Sequence, residues 1–131
     1  MTPEATRYLE KAQKCLTSAQ TSLTVNLTND AGRSAYLAAF HAAQALIFER
    51  TGKIAKTHRG VNFEFARLVR DTPQLDDGLP RFLQRAYNLK AVADYETGPD
   101  SDIEPVRAAA AVVDARNFVA AIRCVLSPPQ P

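Results

Sequence analysis

One run of sequence limits the possible folds more than any other. From Arg33 to Arg50 the chain reads Arg-Ser-Ala-Tyr-Leu-Ala-Ala-Phe-His-Ala-Ala-Gln-Ala-Leu-Ile-Phe-Glu-Arg. Between Ala35 and Phe48 the only strongly polar side chains are His41 and Gln44. Alanine, leucine and aromatics at this density form a helix, and a helix that is apolar nearly all round is a buried one. It is too short, and too polar at its ends, to span a membrane. Other helices must therefore pack around it.

The flanking segments supply those helices. Leu9, Ala12, Leu16, Ala19 and Leu23 recur at a 3-4-3-4 spacing, with Glu10, Lys11, Lys14 and Gln20 on the opposite face. That pattern predicts an amphipathic helix opened by a Thr2 cap and by Pro3. The β-branched run Thr24-Val-Asn-Leu-Thr is expected to fray, and Asn29-Asp30 to cap the central helix. Gly52 ends it. Thr57 caps a short third helix from His58 to about Arg70, with Val61, Phe65 and Leu68 inward and Phe63 and Val69 at its margins. Asp71-Thr-Pro73 stops it. Asp76-Asp77-Gly78 forms a turn, and a fourth helix follows to Tyr95 with Phe82, Ala86, Leu89 and Ala93 as its stripe. Ser101 or Asp102 caps the last helix, which reaches about Leu126 with Ile103, Val106, Ala110, Val113 and Ile122 inward. Residues 127–131 are expected to form a frayed tail.

Short loops between long amphipathic helices favour antiparallel neighbours. The expected fold is therefore all-α, an up-and-down antiparallel bundle of four main helices plus one short helix. At 131 residues the chain is expected to be a single domain with its core from about 3 to 126. It has no signal-like apolar start and no run of about eighteen apolar residues, which predicts a cytoplasmic protein off the membrane. The formal charge of +2 leaves only a local basic patch as an argument for nucleic acid. Cys15 and Cys124 are read as reduced, packed thiols.

Candidate chemistry is sparse. The sequence has no glycine-rich phosphate loop, and its two histidines have no cysteine or carboxylate at metal-ligand spacing, so no metal and no cofactor is expected. His41 reads either as a hydrogen-bonded core or interface histidine or as a catalytic one. Arg33 lies eight residues earlier, about 80° round the helix and roughly 12 Å along it. Lys53, Lys56, His58 and Arg59 gather where the third helix begins, and free N–H groups there suit a phosphate. In the fourth helix Lys90 and Asp94 are an i, i+4 pair, and Tyr87, Asp94 and Tyr95 can reach the central helix as polar contacts. Asp76-Asp77 reads as a cap.

Three of these segments, Arg33-Ser-Ala-Tyr36-x4-His41, Lys56-Thr57-His58-x-Gly60 and Leu89-Lys90-x-x-Ala-Asp94-Tyr95, resemble in order and spacing the HEPN family (higher eukaryotes and prokaryotes nucleotide-binding domain). The likeness is to its small stand-alone prokaryotic branch and extends over about residues 5 to 126. It implies an antiparallel helical bundle, often a homodimer, paired with a minimal nucleotidyltransferase in a toxin–antitoxin-like system. Taken with the residue patterns, the candidate contacts to nucleotide or RNA are Arg33, His41, Lys56, His58, Arg59 and Lys90, with Tyr36, Asp94 and Tyr95 as structural polar groups. Some HEPN proteins are metal-independent ribonucleases that carry an Arg and a His separated by four to six residues. Here Arg33 and His41 have seven residues between them, as do Arg50 and His58. Lys90 stands where the family more often has Arg. The expectation is a non-catalytic binding module. The alternatives are a ribonuclease toxin acting through Arg33 and His41, and a protein-interaction scaffold with no small ligand.

Overall fold

A computed structural model describes residues 1–127 as five helices with no strand among them. They are α1 (Pro3–Thr24), α2 (Thr28–Thr51), α3 (His58–Arg70), α4 (Leu79–Tyr95) and α5 (Pro105–Leu126). The expected tail lies at residues 128–131, outside the described residues, apart from Ser127.

α2 touches every other helix and packs most extensively on α1. The reason is its side chains. Ala31, Ala35, Ala38, Ala39, Ala42, Ala43 and Ala45 are completely buried, and so are Leu46 and Ile47. Residues this small let neighbouring helices approach closely from several sides. On α1, Ala5, Ala12 and Ala19 alternate with Leu9 and Leu16, all buried. A 3.5-residue apolar repeat keeps one seam against α2. Between α3, α4 and α5 the core is aromatic. The Phe118 ring of α5 lies 5.1 Å from Phe65 of α3 and 6.0 Å from Phe82 of α4.

The helix ends depart from expectation in instructive ways. The Thr24–Thr28 segment is an ordered turn. Asn26 takes a left-handed conformation at φ 62°, and Leu27 N–H donates to Ser22 C=O while Asn26 N–H donates to Leu23 C=O. That pair of bonds is the reverse-turn closure of a helix C-terminus. Asn29 does not cap α2, because Leu27 holds that position without a side-chain bond. Asn29 instead donates to the Asp102 carboxylate and accepts from Ile103 N–H, tying the start of α2 to the strap before α5. Asp102 is thereby taken from the α5 cap, and Glu104 occupies that position before Pro105. Thr57 does cap α3, accepting from Gly60 N–H at 3.0 Å. Gly52 closes α2 at φ 72°, as its sequence position implies.

Inward faces match for α1 and α4 but not for α5. There Ala108, Ala111, Val112, Ala115, Phe118, Val119, Ile122 and Leu126 are buried, whereas Val106, Ala110 and Val113 face out. On α3, Val69 takes the buried place expected of Leu68. Cys124 is exposed and Cys15 partly buried, both as free thiols, so only Cys15 is packed.

Candidate functional site

Arg33, Tyr36 and Phe40 follow one another at i, i+3 and i+7 on α2 and share a face. Tyr87, Lys90 and Asp94 do the same on α4. The two faces meet, and the first residue of α3 closes the seam between them.

At one end of the seam Arg33 is fully engaged. Its Nε donates to Asp94 Oδ1 at 2.5 Å, its Nη1 to Asp30 Oδ1 at 2.6 Å and its Nη2 to the Ala93 carbonyl at 3.3 Å. Lys90 Nζ takes the other oxygen of Asp94 at 2.5 Å. Hydrogen bonds from Lys90 and Arg33 hold the Asp94 carboxyl below its ordinary pKa, and the Asp94 bond raises that of Arg33. Tyr95, expected as a structural contact, instead points outward at 77% exposure.

In the middle of the seam His58 uses both ring nitrogens. Nδ1 lies 2.9 Å from the Tyr36 hydroxyl and Nε2 lies 3.0 Å from Gln84 Oε1. Gln84 Nε2 donates onward to Asn88 Oδ1, which fixes the orientation of its amide. A carbonyl oxygen only accepts, so this arrangement suits the tautomer in which His58 Nε2–H donates to Gln84 Oε1 and Nδ1 accepts the Tyr36 O–H. Burial, with Tyr87 beside it, pushes the Tyr36 hydroxyl well above the ordinary tyrosine pKa, so it stays a donor. The Tyr87 ring stacks on His58 with centroids 3.8 Å apart and planes 9° from parallel. Tyr36 contacts both rings and Phe40 as well.

His41 is held elsewhere. Its Nδ1 meets Gln44 Oε1 at 2.8 Å, and Gln44 Nε2 donates to the Ala55 carbonyl at 2.8 Å. This pins the α2–α3 loop to α2. Burial lowers the His41 pKa more than the Gln44 bond raises it. Arg33 is directed to α4 and His41 to Gln44 on its own helix, so the structure does not bring the two together.

Lys56 and Arg59 are exposed at the start of α3, and neither joins an ion pair among the described residues. Lys53 differs, for its ammonium lies 3.3 Å from Glu64, which also binds Arg67. Beside Arg59 a groove of about 910 Å³ opens between α3 and the start of α4, with Thr57, Asn62, Phe63 and Gln84 in its lining. Among the described residues no three His, Cys, Asp or Glu side chains converge as metal ligands would. No described helix is long and apolar enough to cross a membrane.

Sequence reasoning passed over Gln84, Asp30 as a partner of Arg33, and the groove. Gln84 lies three residues before Tyr87 on the same helical face, and that spacing was the available signal. Asp30 lies three residues before Arg33, an ordinary ion-pair spacing that its reading as a cap concealed.

Each of the three motif segments thus contributes to the seam, through Arg33 and Tyr36, through His58, and through Lys90 and Asp94, while His41, Lys56 and Tyr95 lie outside it. The HEPN domain model matches residues 5–125, nearly the whole described chain. The chain belongs to the HEPN family. A protein of Methanocaldococcus jannaschii provisionally named a toxin is 29% identical over 123 residues, covering 94% of this chain and 89% of that protein. An Archaeoglobus fulgidus protein, named only as a UPF0332 protein, is 31% identical over 87 residues, covering 66% and 68%. The HEPN assignment agrees with the all-helical fold.

Proposed function

We propose that this HEPN protein is a non-catalytic, cytoplasmic binding module for RNA or nucleotide phosphates. In this reading it is a single domain that forms a homodimer and works with a minimal nucleotidyltransferase in a toxin–antitoxin-like pair. One observation carries the reading. Arg33, Lys90 and His58 direct their polar atoms to protein partners, whereas Lys56 and Arg59 stand free at the start of α3. An anion near those two gains from both charges and from the positive end of the helix. Arg33, Lys90 and His58 then act as the frame behind that surface. Tyr36 and Asp94 hold the frame together, and His41 orients Gln44, which holds the loop that carries Lys56.

The test is fluorescence anisotropy with a labelled single-stranded oligoribonucleotide across a salt series, in EDTA, with the RNA recovered afterwards on a gel. Intact RNA and binding that weakens with salt are expected. Lys56→Ala and Arg59→Ala are each expected to lower the log–log salt slope by about 1. The ribonuclease alternative has one point in its favour: His41 Nε2 has no hydrogen-bond partner among the described residues. RNA cleavage that disappears in His41→Ala would overturn the non-catalytic reading. Absence of any salt-dependent binding would overturn the phosphate reading and favour the scaffold.

A further inference from the structure

We propose that the outer face of α3 is a docking surface for an acidic amphipathic helix of a partner protein. Arg59, Phe63, Ala66 and Arg70 follow one another at spacings of four, three and four residues. They form a single stripe along α3. Phe63 is 68% exposed, an unusual position for so large an apolar ring. Arg59 and Arg70 are exposed at the two ends of the stripe, in no ion pair among the described residues. Eleven helical residues place their backbones about 16 Å apart.

The groove beside this stripe decides the occupant. Its apolar lining includes Phe63, Ala66, Val69 and Pro80. Apolar walls of this kind accept leucine-like side chains laid down at i, i+3 and i+4. The cations sit at the ends of the stripe with none between. That suits a helix of about three turns with one carboxylate at either end. A nucleic-acid strand fits less well, because it carries a charge on every nucleotide and Asp77 also lines the groove. Asn62, in the same lining, has its Oδ1 buried with no hydrogen-bond partner among the described residues. Turning that amide outward gives it the polar contact it lacks, on a bound side chain or backbone group. The proposal goes beyond the phosphate reading. Arg59 is shared with that reading, but Phe63 and Arg70 have no part in it, so failure here leaves it standing.

The probe is a fluorescein-labelled helical peptide with leucines on one face and a glutamate at either end of about three turns. Saturable binding to the full chain is expected, weakened about tenfold by Phe63→Ala. Arg59→Glu combined with Arg70→Glu is expected to abolish it and to create binding of the same peptide with lysines in place of the glutamates. These side chains are exposed, and circular dichroism melts establish that each variant is folded. If Phe63→Ala does not fold, the charge-reversal pair alone decides. No saturable binding, or binding indifferent to both changes, overturns the proposal. So does Phe63-dependent binding of a single-stranded oligonucleotide with none of the acidic peptide.

Discussion

Asp94→Asn tests whether the seam is held together as its geometry implies. The substitution keeps the shape of the side chain and removes its charge. Lys90, whose side chain is 27% exposed, loses its ion-pair partner, and Arg33, at 35%, loses one of its two, keeping Asp30. Asp94 itself is 21% exposed, so the pairs lie between surface and interior. Solvent screening holds the Arg33 pair to about 1 kcal/mol. The i, i+4 pair with Lys90 adds about 0.3–0.5 kcal/mol. The expected loss is therefore about 1–1.5 kcal/mol at neutral pH, or about 4 °C in Tm for a domain of this size.

The pH dependence has a definite sign. The folded-state pKa of Asp94 is depressed by Lys90 and Arg33. Its contribution is complete above the unfolded-state value near ~3.9 and disappears as pH falls through the lower folded-state value. Urea denaturation of parent and variant should give parallel curves separated by the full loss at pH 7. The separation should narrow below about pH 4, as far down as both stay folded. A cycle with Arg33→Gln should return a coupling of about 1 kcal/mol, since the two side chains touch. An Asp94→Asn variant as stable as its parent at pH 7, or a penalty that ignores pH, would refute the reasoning. The variant also frees Lys90 on the α4 face, whereas Arg33 keeps its bond to Asp30. Its affinity for the labelled RNA should rise if that face meets phosphate.

Gly32→Ala is expected to destabilise by about 1 kcal/mol in urea denaturation: its Cβ would stand 2.5 Å from Ile103 Cδ1, and overpacking of about 1–3 kcal/mol outweighs the gain of about 1 kcal/mol in helix propensity. Ile103→Val removes the obstructing methyl, so the double variant should be more stable than the two single effects predict. His41, with its pKa lowered by burial, should make stability fall as pH drops below its unfolded value near ~6.5, and His41→Gln should flatten that slope, which denaturation at a series of pH values reads directly.

Much of this architecture is written locally. Thr57, Gly52 and Pro3 do what their positions imply, because a cap or a stop depends on its own turn alone. The α1 face is equally legible, since leucine and alanine alternate there with charged residues. The α5 face is not. Ala and Val occupy Val106 through Val113 with only Arg107 to mark an outside, so periodicity cannot choose an inner face. Packing chooses it, by seating Phe118 against Phe65 and Phe82. Asn29 and Asp102 look like two independent caps, yet they bond to each other from positions 73 residues apart. The same limit applies in the seam. The Lys90–Asp94 pair is visible from its spacing, but its Arg33 partner lies on another helix and Gln84 shows its role only once His58 is opposite it.

The Lys56-Thr57-His58-Arg59 run then acquires a division of labour. α3 is the shortest helix, 13 residues long, and buries only Val61, Phe65 and Val69. So small a buried face fixes the position of a helix weakly, and the ends must do the rest. Thr57 satisfies a free N–H and starts the helix. His58 then bridges Tyr36 on α2 to Gln84 on α4, and its ring is backed by Tyr87. Together these fix both the tilt and the rotation of α3. Once its rotation is set, Lys56 and Arg59 must face solvent, and the Phe63–Arg70 stripe must face outward with them. In the proposed reading, a histidine that looks like a ligand donor in the sequence acts instead through orientation. Its loss should disturb RNA binding and peptide docking together, whereas the loss of Lys56 or Phe63 should disturb one and spare the other.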